Sequence, residues 1–193
     1  MSYLIAAVDS NMGIGLNNDL PWTNTEEGRK DMKFFRKQTQ NSAVLIGYST
    51  WKSIGKLLPG RLNIIVTKSH YAEMKSIENI HNYNKTHNFD YSNDNTDVKI
   101  FDDLKLALLF ALDYERTTNK HCYICGGKTI YQQYLKKFIP KKIYLTRFKN
   151  DYNCDVQFPL EEFNDFIRDN TCVKLLSNDI FHIYEHSHGG RFK

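Results

Sequence analysis

The sequence predicts a single-domain α/β fold, with a central mixed, mostly parallel β-sheet flanked by helices and an antiparallel hairpin at its C-terminal end. Three observations predict it. Short apolar runs bounded by turn residues alternate with longer segments of helical period, the pattern of strand–helix–strand units. Two runs near the end, 172–176 and 180–186, are separated only by Ser177-Asn178-Asp179, which is hairpin spacing. The length, 193 residues, suits one domain with one core, taken as 1–193.

The elements follow in order. Tyr3 to Val8 is an apolar run closed by Asp9-Ser10-Asn11 and reads as a buried strand. A loop rich in Gly and Asn runs from Asp9 to Thr23. Asn24, with Glu27 three residues on, forms a helix-start pattern. The helix to about Gln40 puts Asp31, Phe34, Phe35 and Gln38 on one face. Ala43 to Gly47 is a second strand, Ser49 to Ile54 a short helix, and Leu62 to Thr67 a third strand. Residues 69–97 show neither period, are polar, and are expected to form a surface insertion anchored by Phe89 and Tyr91. Asp102-Asp103 opens a helix to about Tyr114 with Leu104, Leu108 and Ala111 inward. His121 to Cys125 is a strand, Lys128 to Lys137 a helix, and Lys142 to Phe148 a strand.

Composition excludes several classes of function. The balance of 26 basic and 22 acidic residues, +4, is spread along the chain, so no nucleic-acid footprint is expected. No apolar run approaches the roughly 20 residues that span a bilayer, so no membrane partner is expected. The N-terminus lacks the pattern of a secretion leader. Four cysteines are too few for a disulfide scaffold, and a reducing cytoplasm is the expected compartment. A monomer is expected, with no further domain beyond the last strand near His186.

Parallel sheets bind ligands beyond the carboxyl ends of their strands. That rule gathers the 9–23 loop, the 47–50 turn and the 125–128 turn at one rim. Gly126-Gly127 joins a strand to a helix, where backbone N–H groups approach an anion closely; a plain tight connection would look the same. It is not a Walker loop, because Cys122 stands where that motif needs glycine. Gly47-Tyr48-Ser49-Thr50 and Thr67-Lys68-Ser69 are two further polar turns at the same edge, fitting an extended, multiply charged ligand. Asp31 on an apolar helix face needs a partner or a changed protonation state. That partner is either a basic neighbour such as Lys30 or Arg36, or a ligand with two adjacent N–H donors. Cys122 and Cys125 fall on opposite faces of one strand, which disfavours a redox pair or shared metal. His182, His186 and His188 lack the acidic or thiol partners of a metal site, and no metal is expected.

Eight segments taken together resemble dihydrofolate reductase: Ile5-Ala6-Ala7-Val8-Asp9, Gly13-Ile14-Gly15, Leu20-Pro21-Trp22, Asp31 through Phe35, Gly47 through Ile54, Leu58-Pro59-Gly60-Arg61, Gly126-Gly127 through Tyr131, and Tyr144-Leu145-Thr146. Order and approximate spacing match from Tyr3 to about His186. The resemblance implies reduction of 7,8-dihydrofolate to tetrahydrofolate by hydride transfer from NADPH, in one-carbon and thymidylate metabolism. It implies that Asp31 holds the pterin ring and favours protonation of N5, with Thr146 bonded to Asp31, Trp22 supporting a water and Leu20 on the loop over the nicotinamide. It implies that Ile5, Ala6, Met32, Phe35, Ile54, Leu58 and Cys125 line the substrate slot and that Arg61 pairs with the glutamate-tail carboxylate. The cofactor contacts implied are Ala7, Ile14, Gly15, Leu20, Gly47, Tyr48, Ser49, Thr50, Thr67, Lys68, Cys125, Gly126, Gly127, Lys128, Thr129, Ile130 and Tyr131.

Two departures from the family pattern stand out. Tyr48 and Ser49 occupy positions where family members commonly carry basic residues, which leaves NADPH against NADH to Lys68 and favours NADPH. Four extra residues separate Trp22 from the helix acid, so Glu26 and Glu27 compete with Asp31; the Asp-Met-Lys-Phe-Phe spacing favours Asp31. The alternatives are a catalytically silent folate- or nucleotide-binding protein of this fold, or the related pyrimidine reductase of riboflavin synthesis. Leu20-Pro21-Trp22 together with a helix acid argues against the second. The set Asp31, Trp22, Arg61 and Thr146 argues against the first.

Overall fold

Why the strands lie where they do follows from their burial. The computed structural model describes residues 2–86, 96–169, 172–177 and 181–186. β1 (Tyr3–Val8) is buried on both faces, as a central strand covered by helices must be. Then come β2 (Gly13–Gly15), α1 (Glu26–Thr39), β3 (Ala43–Gly47), α2 (Tyr48–Ile54) and β4 (Leu62–Val66). They are followed by α3 (Tyr71–Thr86), β5 (Asp97–Phe101), α4 (Leu104–Thr118), β6 (Cys122–Gly126) and α5 (Lys128–Lys137). The chain ends with β7 (Lys142–Arg147), β8 (Val156–Gln157), α6 (Leu160–Asp169), β9 (Cys172–Ser177) and β10 (Phe181–His186).

The main sheet runs β5-β4-β3-β6-β1-β7-β10-β9. Neighbours from β5 through β7 are parallel, and β10 pairs antiparallel with both β7 and β9. The predicted mixed sheet with a terminal hairpin is therefore the observed one, although residues 178–180 at its turn lie outside the described residues. β6 enters late in the chain yet sits between β3 and β1. The chain thus reverses its direction of travel across the sheet there, and a crevice opens beyond those strand ends.

One face carries Leu4, Leu45, Ile64 and Ile124 under α4 and α5, with Ala107, Leu108, Ala111, Tyr134 and Leu135. The inward stripe predicted for α4 is present. On the α1 side, Phe34 and Phe35 pack against Tyr3, Ile5, Tyr123 and Tyr144. α1 starts one residue later than its sequence pattern suggests. Thr25, not Asn24, is its N-cap, accepting from the Gly28 N–H at 2.9 Å. A side chain at Gly28 would collide with the Trp22 carbonyl, so the helix start and the Trp22 turn are packed backbone to backbone.

The largest correction concerns 69–97. Residues 71–86 form the 16-residue helix α3, and Asp97–Phe101 forms the edge strand β5. Phe89 and Tyr91 lie outside the described residues. The helical signal is diluted because the buried face holds Met74 and the carboxylate of Glu78, not a run of leucines. Glu78 accepts from the Ile100 N–H at 3.0 Å and pairs with Lys75 at 2.8 Å and Lys99 at 3.3 Å. Burial pushes its carboxyl up, but Lys75, the Ile100 amide and Lys99 outweigh burial and hold it below the ordinary range. The strand pair β2–β8 and helix α6 are also additions. Two- and three-residue strands carry no periodicity, while α6 shows Phe163, Phe166 and Ile167 at helical spacing behind Pro159.

Removing the Glu78 carboxylate leaves the Ile100 N–H without its acceptor. Glu78→Ala is expected to cost about 1–3 kcal/mol. The exposed Glu73→Ala on the same helix should stay within about 0.5 kcal/mol. Urea midpoints at unchanged m-value check both.

Candidate active site

At the carboxyl ends of β1, β3 and β6 a cleft of about 450 Å³ opens, within the range of small-molecule sites. Its floor is Ile5, Ala6 and Ala7 of β1, with Cys125 of β6. One wall is α1, through Asp31, Met32 and Phe35, and the opposite wall is α2 with the segment after it, through Ser49, Thr50, Ile54 and Leu58. Ile14, Gly15 and Leu20 of the 9–23 loop form the roof, while Gly127, Lys128 and Tyr131 close the end at α5. Asn18, Asp19, Thr23, Ile46, Ser53 and Val156 also line it and were not foreseen. The 9–23 loop at the rim contains Asn18, Asp19 and Thr23, and the Ser49–Ser53 spacing on a short helix could have found Ser53.

Asp31 is 6% exposed. Its neighbours on α1 do not neutralise it, since Lys30 pairs with Glu26 at 2.7 Å in solvent. In the first turn Glu26 is exposed and Glu27 half-buried, and neither lines the cleft in place of Asp31. The partner of Asp31 is the hydroxyl of Thr146, which donates to Oδ1 at 2.5 Å. β1 and β7 are in register with Ala7 opposite Thr146, and this pairing carries the hydroxyl across to α1. Burial pushes the Asp31 carboxyl up to about 6, and the single Thr146 bond restrains the rise only partly. The carboxylate is short of donors.

The turn after β6 is shaped for close approach. Gly126 has φ +97°, and a Cβ there would stand 2.6 Å from the Tyr131 ring. A Cβ on Gly127 would lie 3.0 Å from Thr50 Oγ1, so only glycines leave this cradle open. Tyr131 is itself anchored, its hydroxyl donating to the Ile5 carbonyl at 2.8 Å. Cys122 is buried on the α4 side and Cys125 faces the cleft, on opposite sides of the strand as predicted.

The roof loop is laced to the far segment. Asp9 accepts from the amides of Gly13 at 2.7 Å, Asn11 at 2.9 Å and Tyr152 at 3.2 Å. Burial raises this carboxyl, but those amides together prevail and hold it below its ordinary value. β2 pairs with β8, Asp155 N–H donates to the Gly15 carbonyl, and Asp155 Oδ2 accepts from the Asn17 amide at 2.9 Å. The loop bearing Leu20 is thereby set over the cleft.

Other predicted residues stand beside the cleft. Trp22 is fully buried against Phe148 and Tyr152, and among the described residues its Nε1 has no partner. Arg61 is 4% exposed and engaged in the fold, with Nε on the Pro59 carbonyl and one amino group on Thr39 Oγ1, each at 3.0 Å. The buried Asn63 holds the same turn, accepting from Leu58 N–H and donating to the Leu58, Arg61 and Asp97 carbonyls. Ile130 is a core residue beneath Gly47, and Thr129 is exposed on α5. Gly47, Tyr48, Gly126, Thr67 and Lys68 lie at the same strand ends, outside the cleft lining. His182 and His186 fall on β10, but their side chains, like all of His188, lie outside the described residues. A smaller depression of about 340 Å³ between α5 and α6 holds none of the predicted residues.

The raised Asp31 pKa makes stability depend on pH. The folded state favours the protonated acid, so stability is lost as pH rises from about 3.8 toward about 6 and the penalty is constant above. Two pKa units correspond to about 3 kcal/mol. Asp31→Asn, which keeps an acceptor for Thr146, is expected to exceed the parent by up to that amount at pH 7, the gap closing toward pH 4. Chemical denaturation across this range checks it, and a pH-independent gap contradicts it.

Comparison with known proteins places this geometry. The sequence matches the family model described as Dihydrofolate reductase over residues 1–176. It is 31% identical over 166 residues to segregation and condensation protein A of Mycoplasmoides gallisepticum, covering 86% of this chain and 23% of that protein. It is 28% identical to the bifunctional dihydrofolate reductase-thymidylate synthase of Paramecium tetraurelia, covering 95% and 33% respectively. With the dihydrofolate reductase of Buchnera aphidicola it shares 29% over 156 residues, covering 81% and 76%. The chain thus spans about a quarter of the first relative, a third of the second and about three quarters of the third. Because the family model matches residues 1–176 of the 193, the chain belongs to the dihydrofolate reductase family.

Proposed function

We propose that this chain reduces 7,8-dihydrofolate to tetrahydrofolate with NADPH. The observation that carries the reading is the buried, donor-poor carboxylate of Asp31 at one end of a cleft whose other end is the open glycine cradle. A flat heterocycle with an exocyclic amine beside a ring N–H supplies the two donors that Asp31 lacks. The apolar walls, Ile5, Phe35, Ile54 and Leu58, suit the ring faces and a benzoyl group. Arg61 has donors beyond the two held by Pro59 and Thr39, and these would meet a carboxylate at the outer end.

The cradle at Gly126-Gly127 with Thr50 and Ser49 fits a pyrophosphate, because backbone and hydroxyl donors are exposed where any Cβ would obstruct them. Ala7 and Leu20 would hold the nicotinamide end, and the cofactor would supply the hydride that reduces the pterin. The protein's own work is alignment and proton control. Asp31 orients the pterin and, as a negative charge in an apolar slot, favours a proton on N5. Thr146 holds Asp31, and the free Trp22 Nε1 is left to position a water for that proton. Leu20 on the laced roof excludes bulk solvent. Every residue lining the cleft comes from this chain, so the proposed reaction needs no second copy, and the dispersed charge of +4 offers no nucleic-acid footprint. Cys122, Cys125 and Cys154 as free thiols support a reducing, cytoplasmic setting.

Consumption of NADPH absorbance on adding dihydrofolate, blocked by methotrexate, tests the reading. Asp31→Asn is expected to lower turnover at neutral pH by about 10²–10⁴-fold. Near-normal turnover in that variant, or ligand binding without turnover in the parent, refutes it.

A further inference from the structure

α4 is apolar on two sides. Its inner stripe, Leu104, Ala107, Leu108 and Ala111, is buried in the core. Its outer side carries a second row, Leu106, Leu109 and Leu112, which are 51%, 53% and 43% exposed. Successive spacings of three make these leucines one continuous ridge on the helix surface. α1 has the ordinary outer face of a surface helix, with Arg29, Lys30, Lys33, Arg36 and Lys37 in solvent. A single exposed leucine needs no explanation, but a row of three on one helix marks an interaction surface.

The charges around the row indicate what covers it. Asp102 and Lys105 stand before Leu109, Asp113 and Arg116 stand after it, and all four are exposed. At 3.6 residues per turn, residues 105, 109, 113 and 116 fall within about 40° of one line along the helix, with Asp102 at its start. Read forward, the order is acid, base, leucine, acid, base. Read backward, it is base, acid, leucine, base, acid. An antiparallel copy with Leu109 against Leu109 therefore brings Lys105 to Asp113 of the second copy, and Asp102 to its Arg116. A parallel copy sets like charge against like. Among the described residues Asp102 and Lys105 form no ion pair. The Asp113–Arg116 pair, at 2.8 Å, lies in open solvent and gives up little on rearranging.

We propose that the outer face of α4 is a self-association surface, on which a second copy of this chain packs its own α4 antiparallel about a two-fold axis at Leu109. No residue of α4 lines the cleft, and α4 covers the sheet face opposite α1, so both clefts stay open in the pair. One helix pair buries less than about 1,200 Å² in total, the class of weak, reversible contacts. The monomer expected from the sequence is then the dilute form.

Sedimentation equilibrium of the full chain from about 1 μM to 1 mM covers that class of affinity. The expected result is a monomer–dimer equilibrium that weakens with added salt. Leu109→Glu, which brings two carboxylates together at the axis, should stay monomeric throughout. Its urea midpoint should match the parent's, because the side chain it replaces is exposed. Lys105→Glu should weaken the dimer roughly tenfold, since the two-fold repeats each lost charge pair. Adding Asp113→Lys to Lys105→Glu should restore the parent affinity, because the pair is remade with its signs exchanged. A parent that is monomeric throughout overturns the proposal and leaves the leucine row to a different protein. A dimer that survives Leu109→Glu overturns it by putting the contact elsewhere, and a double reversal that fails to recover overturns the antiparallel pairing.

Discussion

A carboxylate held out of water by a helix and a β-sheet, with one hydroxyl to satisfy it, governs this molecule. Removing Asp31 from solvent costs more than the Thr146 bond returns, which is why its proton affinity rises. α1 must lie flat on the sheet to bury Asp31, and Phe34 and Phe35 hold it there against Tyr3, Ile5 and Tyr144. β7 must pair with β1 in the observed register, because a shift by one residue would turn Thr146 to the other face.

The sheet's connectivity supplies the rest of the site. Insertion of β6 between β3 and β1 brings Gly126-Gly127 beside the ends of strands that come from the first third of the chain. The glycines are required by contact, since a Cβ at either would meet Tyr131 or Thr50. The roof is tied down in a different way. Asp9 gathers backbone amides from its own loop and from Tyr152, so the loop is shaped from beneath while β8 holds its edge. A buried carboxylate with three amide donors is stable as an anion, and one with a single hydroxyl is not. Asp9 is thus held as an anion by its donors, whereas the burial of Asp31 is only partly offset.

Much of this was legible in the order of residues. The apolar runs of β1, β3, β4, β6 and β7, the span of α5, the inner stripe of α4 and the Gly126-Gly127 turn are local patterns, and local patterns survive in a linear reading. Asp31 on an apolar helix face is one as well. The polar helix α3 was not legible, because Glu78 is buried through the Ile100 amide and two lysines that its own helix pattern does not reveal. Nor was the buried setting of Arg61, which depends on Thr39 from another element.

The class of fold, the family and the acid in the cleft wall follow from the order of residues alone. Those rest on periodicity and on ordered motifs, which are properties of neighbours along the chain. Only the folded chain shows how the Leu20 loop is tied to the 150–158 segment and that Arg61 is buried against Thr39. Each of these joins residues well separated along the chain. Their meeting is set by strand register and by burial, and no local pattern encodes either.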